Sequence, residues 1–190
     1  MRIISGSAKG RKLQAPTGLT TRPTADQLKE SVFNIIQFDI EDRMVIDLFC
    51  GSGQLALEAI SRGAKSAVLV DMSAEAVKIA KANIAHLGFE AQCRVVAGEA
   101  MQFLASYRDK ADLVFLDPPY HSALMDKSLA RIAELDILRP GGIIVCECAK
   151  DDEPVQLPAP YERGRSYVYG SKKIVLYTRI SDAAGRGEAQ

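Results

Sequence analysis

Asp117-Pro118-Pro119-Tyr120 is the tetrapeptide whose residue types and order specify chemistry most directly. It follows the apolar run Leu113-Val114-Phe115-Leu116, which reads as a buried parallel strand. Both prolines lack an N–H, so neither helix nor sheet continues past that strand. Its tip therefore offers a carboxylate, unpaired carbonyls and a flat π-face side by side. Such a set suits a planar base held by its exocyclic amino group while the amine attacks a methyl donor. The expected catalytic residues are Asp117, Pro118, Pro119 and Tyr120. A purely structural strand-to-loop turn is the competing reading.

A second motif, Asp47-Leu48-Phe49-Cys50-Gly51-Ser52-Gly53, lies where an earlier strand hands over to a helix. Glycines there allow a tight bend and close approach of a ligand to the backbone. The motif alone also fits a dinucleotide fingerprint, with Asp71 as the ribose acid. Asp47 separates the two, because a pyrophosphate disfavours that carboxylate while the ammonium of a methionyl group welcomes it. S-adenosylmethionine is thus the expected cofactor. Asp71 closes the next strand and can grip ribose hydroxyls, and Glu99 after the third strand is placed to meet an adenine amino group. The expected cofactor-binding set is Asp47, Phe49, Gly51, Gly53, Asp71, Met72, Glu99, Ala100 and Asp117.

The elements that must position these residues alternate from residue 44 onward. Strands are expected at Met44–Phe49, Ala67–Val70, Cys93–Val96, Leu113–Leu116 and Ile143–Cys148, the last entered through a Pro140-Gly141-Gly142 turn. Helices are expected at Gln54–Arg62, Ala74–Leu87, Ala100–Tyr107 and Leu124–Leu135. Ser166–Tyr169 and Lys173–Thr178 read as an antiparallel hairpin at the sheet edge. The fold class is α/β, a doubly wound Rossmann-like sheet, mostly parallel. Before it, Arg2–Ser5 and Arg11–Ala15 can pair as a hairpin, and Thr24–Phe38 is an amphipathic helix. This divides the chain into a basic amino-terminal hairpin extension (1–23), the main domain (24–180) and a disordered tail (181–190).

The chain has 190 residues, 47% hydrophobic and 25% charged, with 24 basic and 24 acidic side chains. A zero net charge advertises no nucleic-acid partner globally, so any such site must be local. Residues 1–25 carry Arg2, Lys9, Arg11, Lys12 and Arg22 without a single acid. Lys9, Arg11, Lys12 and Arg22 are the candidates for holding RNA phosphates. No signal peptide or membrane-length apolar run is visible, and no metal site is expected. Cys50, Cys93, Cys146 and Cys148 form no CxxC pair and read as reduced thiols of a cytoplasmic protein. A monomer is expected.

Three stretches together resemble one family, the bacterial 16S rRNA guanine-966 N2-methyltransferases. They are Gly6-Ser7-Ala8-Lys9-Gly10-Arg11-Lys12-Leu13, then Arg22-Pro23-Thr24 through Glu30-Ser31-Val32-Phe33-Asn34, then Asp47–Gly53 with Leu57-Glu58-Ala59 and the Asp117–Tyr120 tip. The resemblance covers residues 5–120 closely and implies a class I S-adenosylmethionine-dependent fold. It further implies methylation of a guanine N2 in 16S rRNA, within the small ribosomal subunit or an assembly intermediate. Asp71 stands where that family commonly carries Glu, one methylene longer. A flipped or unpaired base is required, since a paired base cannot reach the tip. Three rivals remain at this point: N6-adenine methylation of DNA or RNA, a non-catalytic RNA-binding protein of the same fold, and a nicotinamide-dependent dehydrogenase.

Overall fold

A computed structural model describes residues 1–16 and 23–181, with the backbone alone for 23–25. Arg22 and the tail residues 182–190 lie outside the described residues. Along the chain, helix α1 (Pro23–Ile35) is followed by β1 (Met44–Asp47), α2 (Gln54–Ser61), β2 (Ser66–Asp71), α3 (Ala74–Leu87) and β3 (Cys93–Ala97). Then come α4 (Ala100–Ser106), β4 (Ala111–Leu116), α5 (Leu124–Glu134), β5 (Leu138–Ala149), β6 (Tyr161–Tyr169) and β7 (Lys172–Arg179).

The strands form one seven-stranded sheet in the order β3-β2-β1-β4-β5-β7-β6. Strands β1 to β5 pair in parallel, and β7 inserts antiparallel between β5 and β6. This is the doubly wound α/β sheet with a carboxy-terminal hairpin that the sequence predicts. Its strand order reverses between β1 and β4, the place where open α/β sheets bind ligands. Alternation along β4 shows why both faces must be covered. Leu113 and Phe115 enter one core with Leu28, Phe33, Leu57 and Ile84 of α1, α2 and α3. Val114 and Leu116 enter the other with Leu104, Leu129 and Ile132 of α4 and α5. Phe33 packs on Phe115 with ring centroids 5.7 Å apart, so α1 braces the strand just before the Asp117–Tyr120 tip.

The amino-terminal segment makes a single antiparallel bridge, Arg2 to Lys12, where a longer hairpin is expected. It is held by side chains instead. The fully buried Glu58 carboxylate of α2 accepts the Ile4 N–H at 2.7 Å, the Ser5 N–H at 2.9 Å and Arg62 Nε at 2.8 Å. Lys29 Nζ of α1 lies 3.5 Å from the same carboxylate and donates to the Arg2 carbonyl at 2.5 Å. Ile3, Ala8 and Leu13 are buried in the core under these contacts. Gly6, at φ +82°, passes so near α2 that a Cβ would stand 1.7 Å from the Ser61 carbonyl oxygen.

Three boundaries differ from expectation. The helix expected over 24–38 ends at Ile35, leaving Phe38 exposed in a turn. Pro140-Gly141-Gly142 is no turn before a strand but an irregularity inside β5. Ala111 pairs with Leu138 and Leu113 with Ile143, so the extra residues bulge out. A register shift between Arg163 and Ser166 likewise breaks the alternation of β6, which begins at Tyr161 rather than Ser166. Among the described residues no helix is long and apolar enough to cross a membrane.

Candidate active site

The carboxy-terminal ends of β1, β2 and β4 carry Asp47, Asp71 and, one residue past the strand, Asp117. Asp71 is the hinge of the first turn. Its Oδ2 accepts the Gly51 N–H at 2.8 Å and its Oδ1 the Ser73 N–H at 2.9 Å. The carboxylate thus ties the glycine turn to the start of α3, and each oxygen keeps a lone pair for a further donor. Gly51 sits at φ +52°, and a Cβ there would meet no protein atom within 4 Å. Gly53, at φ +80°, holds a left-handed conformation that residues with side chains rarely adopt.

A cleft of about 340 Å³ opens beside this turn, lined among others by Phe49, Asp71, Met72, Glu99, Ala100 and Pro119. Five of the expected cofactor residues therefore share one cavity with Pro119 of the Asp117–Tyr120 tip. Asp47 lies deeper and is essentially sealed. Its Oδ2 accepts the Ala56 N–H at 3.3 Å, while its Oδ1 has no hydrogen-bond partner among the described residues. Burial raises its pKa to about 7, against a usual 3.8. A buried acceptor with one empty place fits an ammonium group, and the open space over Gly51 fits the body of a ligand approaching the backbone. The residues present therefore suit S-adenosylmethionine.

At the tip, Asp117 is half-buried. Burial, and then the neighbouring Glu147 carboxylate, push its pKa well above the usual carboxylate range, with Lys172 pulling the other way. Tyr120 is 42% exposed, its hydroxyl donating to Glu147 Oε1 at 2.9 Å. Lys172 Nζ also donates to Glu147 Oε1, and lies 5.5 Å from the Tyr120 ring centroid. Glu147 comes from β5 and Lys172 from the start of β7. Neither is singled out by the sequence, because the β4–β5 register brings Glu147 to the tip and the β5–β7 register brings Lys172.

The basic residues divide. Lys9 and Lys12 are exposed on the amino-terminal segment. Arg11, expected beside RNA, is engaged by the end of α3: its guanidinium donates to the carbonyls of Leu87, at 3.3 Å, and His86. Those carbonyls are left unpaired where the helix ends at Gly88, so a cation there satisfies them and opposes the helix dipole. His121 pairs with Asp152, Nδ1 to Oδ1 at 2.9 Å. Among the described residues no group of His, Cys, Asp and Glu is arranged to hold a metal.

Residues 1–178, the amino-terminal segment and the sheet together, match the family model described as Conserved hypothetical protein 95. The chain belongs to this family. A relative named Ribosomal RNA small subunit methyltransferase D, from Escherichia coli strain K12, is 34% identical over 100% of this chain and 94% of its own length. The Haemophilus influenzae protein of the same name is 34% identical over 93% of each chain. The solved structure of the Escherichia coli protein yhhF superposes with a TM-score of 0.86 and 32% identity, covering 95% of this chain and 98% of that one. Family membership thus extends through the Glu58-clamped segment as well as the sheet.

Proposed function

We propose that the protein is an S-adenosylmethionine-dependent methyltransferase that modifies the exocyclic N2 of a guanine in 16S rRNA of the small ribosomal subunit, at the position 966 of the resembled family's name. The observation that carries this reading is that Pro119 of the reactive tip lines the same cleft as Asp71, Met72 and Glu99. An amine held at Asp117 would then stand beside the cofactor. Relatives named as small-subunit rRNA methyltransferases support the substrate class.

Asp47 would hold the methionyl ammonium, Asp71 the ribose hydroxyls and Glu99 the adenine amino group, with Phe49, Met72 and Ala100 against the apolar parts. Bound S-adenosylmethionine supplies an electrophilic methyl whose bond electrons leave with sulfur. The remaining work falls to the tip. A guanine N2 lone pair is delocalised into the ring and is a poor nucleophile. Hydrogen bonds accepted from the amino group by the Asp117 carboxylate and the Pro118 carbonyl return electron density to nitrogen and aim the lone pair. Burial makes Asp117 a stronger base than an ordinary aspartate, fit to receive the proton released after transfer. Tyr120 would stack on the flipped base, a contact worth about 1–3 kcal/mol. Pro119 fixes the loop, so that much of the rate comes from positioning. Lys9 and Lys12 are the exposed cations for backbone phosphates.

The test is methyl transfer from labelled S-adenosylmethionine to small subunits from cells lacking the protein, with Asp117→Ala as control and nucleosides identified by mass. N2-methylguanosine from the wild type and none from the variant is expected. N6-methyladenosine would overturn the base, and no transfer to subunits or free rRNA would overturn the activity.

A further inference from the structure

The Asp117 carboxylate and Pro118 carbonyl grip an amino group, and adenine and guanine both offer one. What lies next along the base edge differs. Guanine continues from N2 with N1–H, a donor, and then O6, an acceptor. Adenine continues from N6 with N1, an acceptor, and then a C–H. A site that selects guanine therefore needs an acceptor and then a donor beyond the amine grip.

Glu147 and Lys172 form such a pair. Glu147 is 9% exposed; β4 pairs Leu116 with Cys146, which sets Glu147 beside Asp117, and Glu147 lines a small cavity with Pro118, Pro119 and Tyr120. Tyr120 and Lys172 both donate to Oε1, while among the described residues Oε2 accepts nothing. The Lys172 ammonium lies over the Tyr120 ring, 5.5 Å from its centroid, and has three N–H donors to distribute. A buried acid and a cation in contact, beside the ring expected to carry the base, are more than stacking requires. A phenylalanine on an apolar wall would stack as well.

We propose that Glu147 and Lys172 select the base, with the Glu147 carboxylate accepting guanine N1–H and the Lys172 ammonium donating to O6. This rests on the methyltransferase reading above and supplies a residue basis for its choice of guanine. The carboxylate rejects adenine actively, since its charge would face the adenine N1 lone pair in a partly desolvated place. A purely structural role, in which Glu147 only holds the Tyr120 hydroxyl, predicts no such discrimination.

The experiment uses small subunits reconstituted from ligated 16S rRNA with either guanosine or 2,6-diaminopurine riboside at the target position. Diaminopurine keeps the 2-amino group but presents a lone pair at N1 and an amine at position 6. Wild-type kcat/KM should favour guanosine on the order of 100-fold, as expected for a site whose polar groups lose their partners. Glu147→Gln should narrow that ratio at least about tenfold, because a carboxamide can donate to the diaminopurine N1. Tyr120→Phe, which removes only the hydroxyl bond, should slow both substrates alike. Equal wild-type rates on the two bases, or a Glu147→Gln variant slowed equally on both, would overturn the proposal while leaving the methyltransferase reading intact. No transfer to guanosine subunits by the wild type would instead refute that reading and this inference with it.

Discussion

Replacing Glu58 with alanine should release the amino-terminal segment and remove a large share of the protein's stability. Two backbone N–H groups, Arg62 Nε and the Lys29 ammonium converge on this one carboxylate. Lys29 is only 2% exposed, so without Glu58 it must remain a charge in a dry site or give up its proton. Discharging a lysine of ordinary pKa 10.5 at pH 7 costs about 5 kcal/mol, which caps the loss from that partner. Burial already lowers the Lys29 pKa, which brings the remaining cost below the cap. Stranding one member of a buried pair typically costs about 3–5 kcal/mol, and the orphaned N–H groups keep the total in that range. For a chain of this size the midpoint of thermal unfolding should fall by about 10 °C. Urea unfolding at pH 7 followed by circular dichroism measures the free energy directly. Adding Lys29→Met to Glu58→Ala should recover part of the loss, since the unpaired cation is then gone. A loss below about 1 kcal/mol, or a double variant no more stable than the single, would refute the clamp.

Gly6→Ala should cost about 3 kcal/mol or more, because φ +82° and a carbonyl 1.7 Å from the new Cβ cannot both be relieved; thermal melting would show it. Asp47→Asn should weaken S-adenosylmethionine binding in calorimetry, yet stabilise the ligand-free protein at pH 8. The folded Asp47 pKa of about 7 lies above the usual 3.8, so its contribution is favourable below pH 4 and is lost as pH rises through 7. The advantage of the Asn variant should therefore grow from pH 4 to pH 8, to at most about 4 kcal/mol. Lys9→Ala and Lys12→Ala should each lower the salt dependence of rRNA binding by about one unit of slope, with melting unchanged. Arg11→Ala should instead cost about 1 kcal/mol of stability through the end of α3.

Much of this candidate site is legible along the chain because its carboxylates sit at strand ends. Asp47, Asp71 and Asp117 each follow a short apolar run, and in a doubly wound sheet such positions share one edge. Glycine turns and the two prolines then mark where strands stop. Glu147 and Lys172 are invisible to that logic. Their meeting depends on the register between β5 and β7, where Glu147 pairs with Ile174, and no local pattern encodes it. The contact that Arg11 makes with α3 is hidden for a related reason. A basic residue in an acid-free stretch reads as a phosphate ligand, and nothing local announces that the end of α3, some 75 residues later in sequence, meets it. Bulges hide the rest: the Pro140–Gly142 insertion imitates a turn, and the irregularity after Arg163 erases the alternation that would announce early β6.

The docking of the amino-terminal segment also has a meaning in time. Beyond Lys29 of α1, several of its partners stand 53 to 76 residues downstream, in α2 and at the end of α3. On a chain made from its amino terminus, this segment emerges before Glu58, Ser61 and Leu87 and waits for them before those bonds can form. Contacts of such long sequence separation form late and slow the search for the native state. The basic segment is thus made before these partners and fixed only after them, and its docking would report completion of the α1–α3 face.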